Sequence, residues 1–387
     1  MAVIDVPQPG FMDDEEIAIF ADAVGKFYEK HAPEQRVLKW REDGMVERDF
    51  WREAGEAGLL GASVPEEYGG HGGDFRHEMV VIDQQGRHGV EGFSASLHNT
   101  VILPYLVRHG TEEQKKKYLP RLVSGDLVSA IAMTEPGVGS DLQSITTTAL
   151  KDGNGYRING AKTYISNGQT ADFIIVVAKT DPAERAKGIS LMLLETEGAD
   201  GFQRGKKLDK IGMDAADTSE LFFDDVFVPS DAVLGGEEGK GFYQLMGELP
   251  QERLIIAMGA MTTIERALDE TVTYVKERKA FGKTIWDFQN TQFTLADLKA
   301  RGTAARIFLN DCIARHLEGK LDVSTACMAK YWLTELQGET VDKCLQLHGG
   351  AGYINDYPIA RMYRDSRISR IFGGSNEIMK MVIARSM

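Results

Sequence analysis

The sequence predicts an α+β multidomain chain. An N-terminal α-helical domain spans 1–127, a middle β-barrel or sandwich domain 128–235, and a C-terminal four-helix bundle 236–387. Three observations carry this. Apolar residues recur at steps of three and four from Asp14 to about Ser124. From Val128 to Pro229 the runs turn short, β-branched and punctuated by turn residues. From Gly241 onward the helical period returns in three long segments.

In the first region, "DEEIAIFADAVGKFYEKHA" sets Ile17, Phe20, Ala21, Val24 and Phe27 on one apolar stripe. Asp13 and Asp14 precede it, where an N-cap and the helix dipole favour acids. "EEQKKKYLPRLVSGD" reads as a short helix broken by Pro120 and ended by Gly125. In the second, "DGNG" at 152–155 signals a hairpin. "YRINGAKTYISNG", "DFIIVVAKT", "ISLMLLET" and "SELFFDDVFVP" read as strands. In the third, "RLIIAMGAMTTIERALDETVTYVKERKAFG" is one long helix with a basic end. "TQFTLADLKARGTAARIFLNDCIARHLEGK" and "STACMAKYWLTELQGETVDKCLQLHGG" follow it as helices.

A net charge of −14 argues against nucleic acid or an anionic membrane as the main partner. It leaves room for a local basic pocket. Cys312, Cys327 and Cys344 have no metal-ligand spacing and read as reduced core cysteines. "MAVIDVPQPGFMDDEEI" lacks the basic-then-apolar pattern of a secretory signal, and no stretch is apolar enough to span a bilayer. The expectation is a cytoplasmic protein with no metal.

"AIAMTEPGVGSD", residues 130–141, leaves a strand for a turn rich in glycine and hydroxyls. Gly137 and Gly139 let backbone approach a ligand closely, and Thr134 and Ser140 offer donors to a heterocycle or phosphate. An ordinary strand-ending turn explains the same residues, and the usual phosphate-loop patterns are missing. Four further stretches follow in order: "NGAKTYISNG", "ERKAFGKTI", "QLHGGAGYINDYPIARMYRD" and "IFGGSNEI". Together with "MTEPGVGSD" they resemble the acyl-CoA dehydrogenase family of flavoproteins over nearly the whole chain, most closely the long-chain subset.

The resemblance implies FAD between the β domain and the C-terminal bundle. It assigns Ile131, Met133, Thr134, Gly139 and Ser140 to the flavin and its phosphates, and Tyr164 and Ser166 to its ring. Arg278, Phe281, Gln289, Gln346, Gly349 and Gly350 would serve the adenosine-diphosphate end in the neighbouring subunit, which implies a homo-oligomer, a tetramer in most relatives. A guanidinium fork at 278 suits two phosphate oxygens. Ser375 and Glu377 fall on the flavin side. His348 is expected to be a hydrogen-bonded loop histidine.

The implied reaction is α,β-desaturation of an acyl-CoA, of medium to long chain, to the trans-2-enoyl thioester in fatty-acid β-oxidation. Electrons would pass to electron-transferring flavoprotein. An acyl-CoA oxidase, or a flavin-containing binding protein without desaturase activity, is the alternative on the same scaffold. Most relatives carry the proton-abstracting glutamate at the position that here is Gly373. A glycine keeps the backbone N–H that faces the thioester oxygen. The carboxylate is then expected from Glu252 in "ELPQERLIIAMGA", as the resemblance to the long-chain and isovaleryl enzymes implies, with a kink at Pro250 expected to aim it. Tyr243, Arg253, Ser140 and Gly374 are expected to meet substrate. Gly92 and Gly373 hint at a roomy acyl pocket.

Overall fold

A computed structural model describes residues 2–387. The first helix, α1 (Glu15–His31), starts where the acids place it: the Asp14 carboxylate accepts the Glu16 N–H at 3.0 Å. Ile17, Val24 and Phe27 are buried, with Phe20 and Ala21 half-buried at the stripe's edge. There follow α2 (Glu34–Asp43), α3 (Arg48–Glu56), α4 (Phe75–Arg87) and the short α5 (Ala95–Leu97). One π-helical turn, His98–Ile102, leads into α6 (Leu103–His109), and α7 (Glu112–Val123) closes the region.

Two expectations fail here. Pro120 does not break α7, which runs on to Val123. An internal proline costs about 3 kcal/mol, but Leu119, Leu122 and Val123 are buried beside it, each worth roughly 1.5–3 kcal/mol. Gly92 is no sign of a wide acyl pocket: its φ is +88° and a Cβ there would strike Ala215. Glycine is needed at 92 for close approach to the loop before the last strand.

The middle strands are β1 (Ser129–Ala132), β2 (Thr148–Asp152), β3 (Gly155–Ser166), β4 (Phe173–Lys179), β5 (Ile189–Glu195), β6 (Phe202–Lys207) and β7 (Thr218–Pro229). They form one seven-stranded sheet in the order β1-β4-β2-β3-β7-β6, with β5 beside β4. β2 and β3 make the expected hairpin, pairing Asp152 with Gly155 across Gly153 at φ +57°. The β3–β7 ladder slips between Lys162 and Ile165, where Tyr164 takes φ +59°.

The C-terminal region holds α8 (Gly241–Glu277), a small ribbon of β8 (Lys279–Ala280) and β9 (Lys283–Thr284), α9 (Gln289–Leu317), α10 (Val323–His348), α11 (Pro358–Ser366) and α12 (Asn376–Arg385). α8 starts well before Arg253 and runs through Pro250. Arg253 meets Cys327 and Tyr274 meets His348, both 74 residues apart, so α8 and α10 run parallel. A single core joins the three regions: Leu103 and Tyr105, then Phe173 and Ile175, then Leu254 and Leu333 all belong to it. The three cysteines are free and buried. Among the described residues no helix is long and apolar enough to cross a membrane.

Candidate active site

Glu252 lies in this shared core. It is only 7% exposed, and its Oε1 accepts a hydrogen bond from the Tyr105 hydroxyl at 2.9 Å. Tyr105 is wholly buried on α6. One turn away on α8, Glu248 accepts from Arg108 and pairs with His109 Nε2 at 3.0 Å. Partners 105–252 and 109–248 mean that α6 and α8 are antiparallel and matched turn for turn. Burial drives the Glu252 carboxyl up to about 7; the Tyr105 hydrogen bond and Arg253 pull it down, and the Glu248 charge pushes it further up. A carboxylate poised near neutrality suits proton abstraction.

Gly373 sits in the loop between the 3-10 turn Arg367–Arg370 and α12, at φ +62°. A Cβ there would collide with Ile256 Cδ1. Ile256 is one turn beyond Glu252 on the same face of α8. The structure thus brings the Gly373 loop and Glu252 to one place on one helix. Lys330 of α10, fully buried, holds the loop from behind by donating to Gly374 O at 2.8 Å and Asn376 Oδ1 at 2.9 Å. Burial, with Arg253 nearby, lowers the Lys330 ammonium to about 8.

Arg253, expected to meet substrate, is 5% exposed, as buried as Glu252; it donates to Cys327 Sγ at 3.2 Å and leaves Nε without a partner. One residue is a 100° step around a helix, so Glu252 toward α6 and the loop puts Arg253 toward α10. Tyr243 is 53% exposed in the first turn of α8, about 13 Å along the axis from Glu252. Tyr105, Lys330 and Asn376 escaped the sequence reading. The one available signal was Lys330 at the spacing of the buried Cys327 and Thr334 on a helix face.

A second group comes together around the turn after β1. Thr163 N donates to Thr134 O at 2.9 Å, setting the turn beside Tyr164 and Ser166. Beneath it, Lys162 donates to Met133 O and Glu135 Oε1, both at 2.9 Å. Glu135 also accepts from Thr146 and the Thr147 N–H. Burial opposes ionisation of Glu135, but Lys162 and these donors outweigh it and hold the carboxyl down at about 2. Ile131 and Met133 pack onto the core that contains Tyr105 and Leu254. Gly137 and Gly139 have open space where a Cβ would be, and Ser140 is exposed. The Tyr164 ring, 68% exposed at a positive φ, faces outward at the bulge. Ser375 precedes α12, and Glu377 is in its first turn.

The third group lies elsewhere. Arg278 ends α8, Phe281 is 95% exposed at φ +54°, and Gln289 opens α9. Gln346, Gly349 and Gly350 are at the end of α10, and the two helix ends are tied by Tyr274 stacked on His348 at 4.2 Å. His348 is the last helical residue, its Nδ1 bonded to Cys344 O. From Glu252 to Arg278 is 26 residues of one helix, roughly 39 Å. Arg278 and Glu252 therefore sit far apart along one helix, with Arg278 at its C-terminal end. The exposed aromatic ring and open glycine turn fit a flat heterocycle, and the exposed Arg278 with Gly349 and Gly350 fits a diphosphate; this donor set suits FAD.

Three family models match the chain in order: the acyl-CoA dehydrogenase N-terminal domain over residues 14–126, the middle domain over 130–226 and the C-terminal domain over 239–387. The mitochondrial long-chain specific acyl-CoA dehydrogenase of Sus scrofa is 47% identical over 371 residues, covering 95% of this chain and 86% of the relative. The crystal structure of acyl-CoA dehydrogenase from Geobacillus kaustophilus has a TM-score of 0.94 at 46% identity, covering 96% of this chain and 98% of that one. A glutaryl-CoA dehydrogenase from Mycobacterium smegmatis in complex with FADH2 has a TM-score of 0.91 at 25% identity, covering 100% and 97%.

Proposed function

Because the chain belongs to the acyl-CoA dehydrogenase family, we propose that Glu252 is the base with which it desaturates acyl-CoA thioesters. It is an FAD flavoprotein acting on the CH–CH group. Glu252 takes the α-proton, and the Gly373 N–H helps polarise the thioester carbonyl so that the proton becomes acidic. Bound FAD supplies the acceptor for the hydride that leaves the β-carbon. Thr134, Ser140, Tyr164 and Ser166 hold the flavin from the β domain, the Gly374 backbone lies beside the thioester, and Tyr243 meets a more distant part of the substrate.

The observation that carries this is the shared position of Gly373 and Glu252: Ile256 fills the place of a side chain at 373, and a buried carboxylate stands one turn away. Glu252→Gln should lose roughly 10²–10⁴-fold in the rate of flavin bleaching by acyl-CoA while keeping FAD. Unchanged bleaching would end the assignment.

The exposure of Arg278 and Phe281 at the far end of α8 from Glu252 supports a homo-oligomer in which they, with Gln289, Gln346, Gly349 and Gly350, complete the cofactor site of a neighbouring subunit; the tetramer rests on likeness to the family. The medium-to-long chain preference rests on likeness to the Sus scrofa enzyme. Electrons pass to electron-transferring flavoprotein, the acceptor typical of the family. Three buried free thiols suit a reducing compartment, whether cytoplasm or, as for the Sus scrofa relative, the mitochondrion.

A further inference from the structure

A base must be aimed as well as poised, and the hydrogen bonds around Glu252 show what holds this carboxylate. Among the described residues, the Glu252 side chain has one hydrogen-bond partner, the Tyr105 hydroxyl, at 2.9 Å. That hydroxyl is itself built in. α6 leaves a π-helical turn, an irregularity often found where a helix serves a site. The turn is docked on α8 by Gln251 Nε2 donating to Thr100 O at 2.7 Å. Below it, His98 is fixed between Ser129 Oγ at 2.7 Å and Leu122 O at 3.0 Å. Above it, His109 and Arg108 engage Glu248. Tyr105 therefore stands on a segment clamped at both ends, with its ring buried.

The other charged groups around Glu252 are already committed. Glu248 is engaged by α6, Arg253 by Cys327, and Lys330 by Gly374 and Asn376. We propose that Tyr105 is the positioning residue of the catalytic base, its hydroxyl holding the Glu252 carboxylate toward the Gly373 loop and favouring the ionised form that can accept a proton. The proposal rests on the reading of Glu252 as base. Burial, with the Glu252 charge adding, keeps the Tyr105 phenol protonated far above neutrality, so it remains a donor throughout the working range. A hydrogen bond donated to a carboxyl oxygen stabilises the charged form more than the neutral acid.

The test is the pH profile of flavin bleaching by dodecanoyl-CoA in the holoenzyme. Tyr105→Phe keeps the ring and removes the donor. The acid limb of kcat/KM should move up by about one pH unit, and the plateau rate should fall by roughly tenfold as the carboxylate loses its orientation. FAD content and KM should change little. A wild-type limb in Tyr105→Phe overturns the proposal. A ring-fluorinated tyrosine at 105, a stronger donor of nearly the same size, should move the limb down, and it serves if the phenylalanine variant does not fold. An unmoved limb there overturns the proposal equally. Glu252→Gln in parallel separates the two readings: if it bleaches normally the base assignment fails, whereas full loss with an unmoved Tyr105 limb leaves the base and removes only its positioner.

Discussion

A carboxylate that takes a proton at neutral pH must be less acidic than in water, and at Glu252 this has a cost in folding. Burial lifts the group to about 7. In the folded enzyme the proton is held more tightly than in the unfolded chain. The stabilisation this group contributes is full below the ordinary carboxylate range and lost as pH rises through about 7. Activity has the opposite sense, since only the ionised form is a base. The unliganded holoenzyme should therefore gain kcat/KM over the same pH interval in which it loses stability. Glu252→Gln, which cannot ionise, should melt higher than the wild type at pH ~8 by an amount on the order of 3 kcal/mol, and the difference should close toward pH ~5. Calorimetric Tm at the two pH values checks this. A constant difference would mean that Glu252 does not titrate near neutrality.

At the scale of elements, the site is where two loops are hung on buried lysines: the turn 133–140 on Lys162 and the loop 371–375 on Lys330. The second loop leaves no room for a side chain at 373. Gly373→Ala places a Cβ against Ile256 at a φ that L-residues avoid. The left-handed conformation costs about 1–2 kcal/mol and the overpacking about 1–3 kcal/mol more. Gly373→Ala should unfold at lower denaturant concentration, with Ile256→Val restoring part of the loss. A fully stable alanine variant would mean that the loop and α8 are not in contact. This loop also shows what the sequence could carry. The vacancy at 373 and the glutamate at 252 were readable together because each breaks a motif in a compensating way. Strand and helix periods were readable for the same reason, a local pattern. Tyr105 was not: it has no motif, and its partner is 147 residues away. Lys330 looked like any lysine until burial gave it two acceptors. Pro120 was misread because a local breaking signal was outweighed by burial of its neighbours.

Across the whole molecule, the three regions must keep register for the proposed site to exist, since the proposed base comes from α8, its hydrogen bond from α6 and the proposed flavin turn from the β-sheet. One buried cation spans them. Arg41 of α2 pairs with Glu91 ahead of α5, with Asp214 before β7 at 2.7 Å and with Asp365 on α11 at 2.8 Å. Its side chain is only 7% exposed. Arg364 also reaches Asp214 at 2.9 Å, but Arg41 alone touches all three acids. In a chain of net charge −14, carboxylates gathered without that guanidinium would repel one another. Breaking a buried pair by removing one partner costs about 3–5 kcal/mol, because the remaining charge stays buried. Arg41→Met should therefore lower the calorimetric Tm of the holoenzyme and weaken FAD retention, although no residue at the flavin is altered. The sign with pH is set by the acids left behind. Burial, with the Asp365 charge adding, already raises Glu91 above its ordinary carboxylate value, which favours its neutral form as pH falls. Protonation removes the repulsion that the variant suffers and the attraction that the wild type enjoys. The gap in Tm between the two should shrink from pH ~8 to pH ~5, while Arg41→Lys, which keeps the charge and loses the fork, should fall between them. An equal gap at both pH values would assign the loss to packing of the side chain and remove Arg41 from its role as the electrostatic tie between the regions.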